Sequence, residues 1–114
     1  MSKFILLLTG QGNYATLSPA ENEAALKAYM EWTGQLRSNG NFLDAERLSG
    51  QFKVIMPGPN PVVSDGPYAE SKEAVGGFFA ISAETFEEAT NIGLGCPHLK
   101  YGGEVQVHGV YEMK

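Results

Sequence analysis

The chain has 114 residues, 43% of them apolar, which suits one small domain with a single hydrophobic core. Its formal net charge is −5, and its eight Lys and Arg residues are spread thinly, which argues against a nucleic-acid-binding protein. A single cysteine excludes an intramolecular disulfide framework and a multi-cysteine zinc site.

The first predicted element is a strand from Lys3 to Thr9, because Phe4 to Leu8 are all apolar. An unbroken apolar run of strand length is typical of a strand covered on both faces, so we expect it in the centre of a sheet. The run is too short for a signal-peptide core or a membrane span. We therefore expect a cytoplasmic protein without a membrane partner.

The clearest local signal is the capping box Ser18-Pro19-Ala20-Glu21, with proline at the first helical position. Apolar residues then recur at spacings typical of one helix face, at Ala25, Tyr29, Trp32 and Leu36. We predict a helix from Pro19 to about Asn39, stopped by Gly40 in a left-handed conformation. Its apolar stripe is expected to pack in the core and not against a cofactor.

Two short strands, Phe42 to Leu48 and Gln51 to Met56, are predicted to form a hairpin through a Ser49-Gly50 turn. A proline-rich loop follows, after which Val62 to Ser64 is expected to pair briefly.

Three elements complete the chain. A strand is predicted from Gly76 to Ala83, followed by a helix that Thr85 and Glu88 cap. Pro97 ends this helix, and the last strand is predicted from Glu104 to Tyr111.

The order of these elements predicts an α+β fold of the ferredoxin-like type, β-α-β-β-α-β. Two helices would cover one face of a mostly antiparallel sheet. The apolar residues on the other face would then need a partner, so we expect a homodimer joined through its sheet faces.

The segment Gly10 to Ala15 matches the dinucleotide-binding pattern G-x-G-x-x-A. In that mechanism the helix must begin inside the motif, with its N-terminus facing the pyrophosphate. Here the helix start is marked at Ser18, after the motif. We interpret the segment as a flexible turn and predict no cofactor.

The densest polar cluster runs from Asp65 to Glu73 and precedes an apolar strand. One interpretation is a turn followed by a solvated run of charges. The other is a loop that carries a functional site on a rigid scaffold. The residues alone leave both open.

The runs Val63 to Glu73 and Gly76 to Phe79 resemble the signature of the YCII-related family, specifically its DGPF branch. The resemblance continues through Phe86 to Ala89 and Cys96 to His98, and it spans nearly the whole chain. It implies a ferredoxin-like fold of the dimeric α/β-barrel type. It also implies an enzyme that uses an acidic residue and a histidine. The alternative is a non-catalytic module that binds sigma factors, since some members lie beside these or are fused to them.

Three positions depart from the family pattern. Tyr68 stands where the family has phenylalanine, and Ser71 stands where it has threonine. His108 stands where the family usually has arginine, so a permanent cation able to grip an anion with two hydrogen bonds is missing. Arg47 on the second strand is the natural replacement.

We therefore expect a polar cleft for a small-molecule ligand, in which Asp65 and His98 form an acid–base pair. The ligand-binding side chains would be those of Tyr68, Glu70, Ser71, Lys72, Arg47 and His108. Two alternatives stay open: His98 as a surface residue that caps helix carbonyls, and a signature loop needed only for folding.

Cys96 follows a helix C-terminus, where the partial negative charge disfavours a thiolate, so a buried and inert thiol is predicted. The two histidines and Asp65 lack the spacing of metal ligands, and no metal site is predicted.

Overall fold

A computed structural model of the chain describes residues 1–10, 12–64 and 75–112. Its strands in chain order are β1 (Ser2–Thr9), β2 (Phe42–Arg47), β3 (Val54–Met56), β4 (Val62–Ser64), β5 (Val75–Ala83) and β6 (Glu104–Gly109). The helices are α1 (Pro19–Ser38) and α2 (Phe86–Leu94), with short 3₁₀ turns at Tyr14–Thr16 and Pro97–Tyr101. None of the described helices has the length and apolar character needed to cross a membrane.

The main sheet has four strands in the order β2-β5-β1-β6, and every neighbouring pair is antiparallel. β1 lies between β5 and β6, so its predicted central position is confirmed. Both helices pack on one face of this sheet, where Trp32 of α1 and Ala89 of α2 join one core with Phe4. The predicted α+β ferredoxin-like fold is therefore confirmed.

The predicted hairpin between the second and third strands is wrong. β2 pairs with β5, while β3 pairs with β4 in a separate two-stranded ribbon. The reason is packing: β2 places Phe42 opposite Ile81 and Ala45 opposite Phe79, so pairing with β5 joins its apolar side to the core. The brief pairing expected for Val62 to Ser64 is confirmed, and its partner is β3.

Capping fixes both helix starts as predicted. Ser18 Oγ accepts from the Glu21 N–H at 3.2 Å, and the Ser18 N–H donates to Glu21 Oε1 at 3.0 Å. At α2, Thr85 Oγ1 accepts from the Glu88 N–H at 3.0 Å. The Glu88 carboxylate accepts instead from the Glu84 N–H at 2.7 Å, one residue before the cap.

The core lies between the helices and alternate residues of β1. Phe4, Leu6 and Leu8 are buried on this face, while Ile5 and Leu7 point to the other. The Trp32 ring meets the Phe79 ring edge-on, with centroids 4.7 Å apart. The predicted core role of the α1 stripe is thus confirmed.

The opposite face of the sheet carries no helix among the described elements. Cross-strand pairs Ile5–Ala80 and Leu7–Phe78 form an apolar centre on this open face. The side chains of Ile5, Leu7 and Phe78 are only half-buried in the single chain.

Gly77 lies where β2 and β5 approach most closely, because a Cβ there would sit 2.8 Å from the Glu46 carbonyl oxygen. We expect Gly77→Ala to lower the free energy of unfolding by about 1–3 kcal/mol, since backbone must shift. Gly34→Ala is the control: nothing lies within 4 Å of its Cβ position inside α1, so stability should rise by about 1 kcal/mol. Denaturant unfolding measures both, and equal effects would contradict the close approach.

Candidate functional site

Most of the predicted site residues belong to the signature segment. Residues Asp65, Tyr68, Glu70, Ser71 and Lys72 lie outside the described part of the chain, so their roles stay predictions. The remaining three, His98, Arg47 and His108, are described.

His98 is buried, with 4% of its surface exposed, and both ring nitrogens have hydrogen-bond partners. Nε2 lies 2.8 Å from the Thr9 carbonyl oxygen, and Nδ1 lies 2.6 Å from the Tyr14 hydroxyl. The alternative of a surface histidine that caps helix carbonyls is therefore wrong. The ring instead bonds the end of β1, 89 residues away in sequence.

These contacts determine the direction of each hydrogen bond. A carbonyl oxygen only accepts, so His98 Nε2 carries a proton and donates to Thr9. In the neutral ring Nδ1 is then an acceptor, and the Tyr14 hydroxyl donates to it. Tyr14 has no second proton, so the Tyr29 hydroxyl, 2.9 Å away, donates to the Tyr14 oxygen. The result is one directional chain, Tyr29 to Tyr14 to His98 to Thr9, called the hydroxyl–imidazole chain below.

Burial keeps both phenols protonated. It raises the pKa of Tyr14, an effect opposed by the hydrogen bond from Tyr29 and more weakly by the positive charge of Arg47. The pKa of Tyr29 is also raised, first by burial and then by its hydrogen bond to Tyr14. Both hydroxyls therefore keep their protons at neutral pH.

Aromatic stacking and close glycines hold the rings in place. The Tyr14 ring stacks on His98 with centroids 5.7 Å apart and lies 5.2 Å from the Tyr101 ring. A Cβ at Gly103 would overlap the His98 ring, and one at Gly12 would lie 2.7 Å from Tyr14 Cε2. Only glycine fits at these two positions without moving the rings.

The segment with the dinucleotide pattern is a turn, as predicted. Gly10 and Gly12 have positive φ angles, and α1 begins only at Pro19, beyond the motif. The Asn13 N–H donates to the Tyr101 carbonyl at 2.7 Å, which anchors the turn beside the last strand. The turn positions the Tyr14 side chain beside the His98 ring.

The hydroxyl–imidazole chain lies at the same end of the sheet as Val75 and Arg47. Thr9 pairs with Val75, the first described residue after the polar cluster Asp65 to Glu73, across a register shift between Leu8 and Thr9. Arg47 pairs with Gly77, two residues further along β5, and its side chain is exposed. Val75 and Arg47 therefore lie at the same end of the sheet as the Thr9 carbonyl that His98 contacts.

His108 is not part of this group. It is exposed on β6, pairs with Ile5 in the register, and contacts Gln106 Oε1 through Nε2 at 2.9 Å. Ile5 lies four residues before Thr9, a separation of about 13 Å along a strand. The structure therefore separates the two histidines.

Cys96 is buried, and burial raises the pKa of its thiol to about 11, partly offset by a bond from the His98 backbone. The predicted burial of this thiol is confirmed. Within the described residues, no three His, Cys, Asp or Glu side chains are grouped so as to hold a metal ion.

Sequence reasoning missed Tyr14 and the hydroxyl of Tyr29. Tyr14 lies in the segment Gly10 to Ala15, where the sequence predicts only a flexible turn, and the spacing of Tyr29 on α1 predicts only a role in the core. One signal was present: a tyrosine in a glycine-rich turn directly after a central strand sits where polar groups collect.

Gly103→Ala is expected to displace the His98 ring and lower the free energy of unfolding by about 1–3 kcal/mol. The NMR signals of the His98 and Tyr14 rings should shift, because their stacking is lost. Gly109→Ala, at the far end of β6, is the matched control, since its Cβ would meet only ordinary contacts at 3.8 Å or more. Unchanged ring signals in Gly103→Ala would contradict this packing.

Comparison with known proteins adds one finding. A search of curated proteins found no match to this chain. The family model of the YCII-related domain matches residues 3–114, nearly the full length. Since the match covers the sheet, both helices and every described residue of the hydroxyl–imidazole chain, this protein belongs to the YCII-related domain family.

Proposed function

We propose that this protein binds, at the end of β1, a small anionic molecule that also carries an O–H or N–H donor, with the Tyr14 oxygen as the group that accepts from it. The observation that carries the proposal is the hydroxyl–imidazole chain from Tyr29 to Thr9. Each buried hydrogen bond adds only about 1 kcal/mol to stability. Apolar side chains of similar size would stabilise the fold as well, so stability alone does not explain these linked polar groups.

Tyr14 is the member of the chain best suited to contact a ligand. It is half-buried, whereas His98 lies behind it and is buried. A phenol oxygen can accept two hydrogen bonds, and Tyr29 supplies only one of them. One lone pair of the Tyr14 oxygen is therefore left for a ligand donor.

Charge favours an anionic ligand. The guanidinium of Arg47 is exposed at this end of the sheet, and its positive charge acts on Tyr14. Guanidinium binds carboxylate or phosphate through two parallel hydrogen bonds. Asp65, Tyr68, Glu70, Ser71 and Lys72 remain proposed contributors, supported by their place in the sequence shortly before Val75, which pairs with Thr9.

The same bonds give the site a route for acid–base chemistry. A proton leaving the ligand would bind the Tyr14 oxygen while the Tyr14 proton moves to His98 Nδ1. The imidazolium formed keeps its Nε2–H on the Thr9 carbonyl. Pairing of Asp65 with His98 stays a proposal, and contact with a ring nitrogen would require replacing Tyr14 or Thr9 as its partner.

The experiment is an NMR titration of isotope-labelled protein with inorganic phosphate, an anion that still carries an O–H at neutral pH and can donate it to the Tyr14 oxygen. We expect phosphate to shift backbone signals around Thr9, Tyr14 and His98. Tyr14→Phe should weaken this binding about tenfold, which corresponds to one lost hydrogen bond of about 1.4 kcal/mol. Arg47→Gln should weaken it by more, because a charged hydrogen bond is lost.

Tyr111→Phe is the matched control, because Tyr111 is almost fully exposed near the end of the chain. It should leave binding unchanged. Anion-induced shifts confined to another surface, or equal affinity in Tyr14→Phe and the unaltered protein, would contradict the proposal.

We also propose that two copies pack through the open faces of their sheets, as in a dimeric α/β barrel. The support is the apolar centre of that face, where Ile5, Leu7 and Phe78 are half-buried around the buried Ala80. Burial of their exposed apolar surface is favoured by about 25 cal/mol per Å².

Phe78→Gln should weaken dimerisation at least tenfold, because a two-fold interface loses the ring twice. Analytical ultracentrifugation measures the dissociation constant, with circular dichroism as the check on folding. A monomer at all concentrations in the unaltered protein would contradict the dimer.

Three further assignments stay proposals. The residues from Val63 to Phe79 support membership of the DGPF branch. A cytoplasmic location is the second of these proposals. A sigma-factor partner is the alternative function, and a stable complex in a pull-down together with no anion binding would favour it.

A further inference from the structure

The Tyr14 oxygen is restricted in what it can offer a ligand. Its single proton lies in the hydrogen bond to His98 Nδ1, at 2.6 Å, and the Tyr29 hydroxyl donates to it at 2.9 Å. A hydroxyl has one proton to donate and two lone pairs that can accept. Toward a ligand, the Tyr14 oxygen is therefore an acceptor that has no proton left to give.

His98 imposes this restriction through the bond on its other nitrogen. Nε2 donates to the Thr9 carbonyl oxygen at 2.8 Å, which leaves Nδ1 as the acceptor of the neutral ring. The ring is 4% exposed and packs directly on Gly103, where a Cβ would overlap it. The tautomer of a buried ring, and not the ligand, thus decides which way the Tyr14 hydroxyl points.

A group that only accepts can discriminate between oxyanions of the same shape and charge. Hydrogen phosphate carries an O–H that can donate to the Tyr14 oxygen, whereas sulfate presents only acceptor oxygens. A site built to bind a ligand hydroxyl rejects the analogue that lacks it, because a polar group of the site is then left without a partner. The positive charge of Arg47, which acts on Tyr14, would attract both anions alike.

We propose that the site selects protonated oxyanions, such as hydrogen phosphate, over sulfate, and that His98 is the positioning residue that sets this selectivity. The inference rests on the anion site proposed above and deepens it. His98 acts through Tyr14, which stacks on its ring. Protonation of His98 reverses the selectivity, because Nδ1 then donates to the Tyr14 oxygen and frees the Tyr14 proton for the ligand.

The other titratable or charged side chains near His98 in the described part of the chain are phenol and thiol groups packed near it and exposed ions around it: Tyr14, Tyr29, Tyr101 and Cys96, and Arg47, Lys100 and Glu104. Burial raises the pKa of Tyr14, Tyr29 and Cys96, so these three keep their protons at and below neutral pH. Histidine is the side-chain type of this set that gains a proton just below neutral pH. A change in binding over that range is therefore assigned to His98 when it follows the NMR signals of that ring.

The test is a pair of NMR titrations, with phosphate and with sulfate, at constant ionic strength and at a pH where phosphate is the hydrogen phosphate dianion. Both anions then have the same charge. We expect phosphate to bind at least about tenfold more tightly than sulfate, as read from the backbone signals of Thr9, Tyr14 and His98. In Tyr14→Phe the two affinities should become about equal, because phosphate loses its acceptor. Arg47→Gln is the matched control: it should weaken both anions and leave their ratio unchanged.

His98→Leu tests the role of the histidine. It removes the acceptor of the Tyr14 proton, so the hydroxyl can turn toward the ligand, and sulfate should bind at least about threefold more tightly than in the unaltered protein. Damage to the fold would weaken both anions, so a gain for sulfate identifies the released hydroxyl.

Lower pH tests the same step in the unaltered protein, in case His98→Leu does not fold. Protonation of His98 is followed through its own nitrogen-15 shifts, and sulfate binding should strengthen as the ring gains its proton. Tyr14→Phe gains the same charge without the hydroxyl, so its gain in sulfate affinity should be smaller.

The outcomes separate this inference from the anion site itself. Equal affinities for the two anions in the unaltered protein, or tighter binding of sulfate, would overturn the selectivity and leave the anion site standing. No shift of these signals with either anion would contradict the anion site, and the inference with it. A preference for phosphate without any gain for sulfate, either in His98→Leu or on protonation of His98, would overturn the role of His98.

Discussion

The hydrogen bond from His98 to the Thr9 carbonyl sets the geometry of the candidate site. It places the single proton of the neutral ring on Nε2 and makes Nδ1 an acceptor. The Tyr14 hydroxyl must then donate to Nδ1, and the Tyr29 hydroxyl must donate to the Tyr14 oxygen. The close approach of Gly103 to the ring and the stacking of Tyr14 on it are conditions for that bond.

The position of β1 explains why Thr9 can serve in this way. β1 is bonded on both edges, so its end is held rigidly by β5 and β6. The register with β5 shifts between Leu8 and Thr9, and such irregularities re-aim backbone groups at the end of a ladder. A site built there combines a fixed scaffold with the more variable turns around it.

The two helices cover only one face of the main sheet. The helices bury Phe4, Leu6 and Leu8 but leave the opposite residues of β1 half-exposed. The centre of the open face is an apolar surface that the described chain leaves half-exposed. A second copy could cover it, and the hydroxyl–imidazole chain would lie on the helix side, away from that contact.

Local signals in the sequence predicted what local physics decides. The capping box at Ser18, the α1 stripe and the unbroken apolar run of β1 each depend on residues within a few positions of one another. The partner of β2 depends on Phe79 and Ile81, more than 30 residues later, and there the short-range hairpin signal was misleading. Tyr14 and His98 are 84 residues apart, so their hydrogen bond left no spacing to detect.

The most direct test of the account is the tautomer of His98, read from nitrogen-15 chemical shifts of histidine-labelled protein at neutral pH. The account predicts that the neutral ring carries its proton on Nε2 and that the unprotonated Nδ1 accepts a hydrogen bond. A proton on Nδ1 in the neutral ring, or fast exchange between the two tautomers, would contradict it.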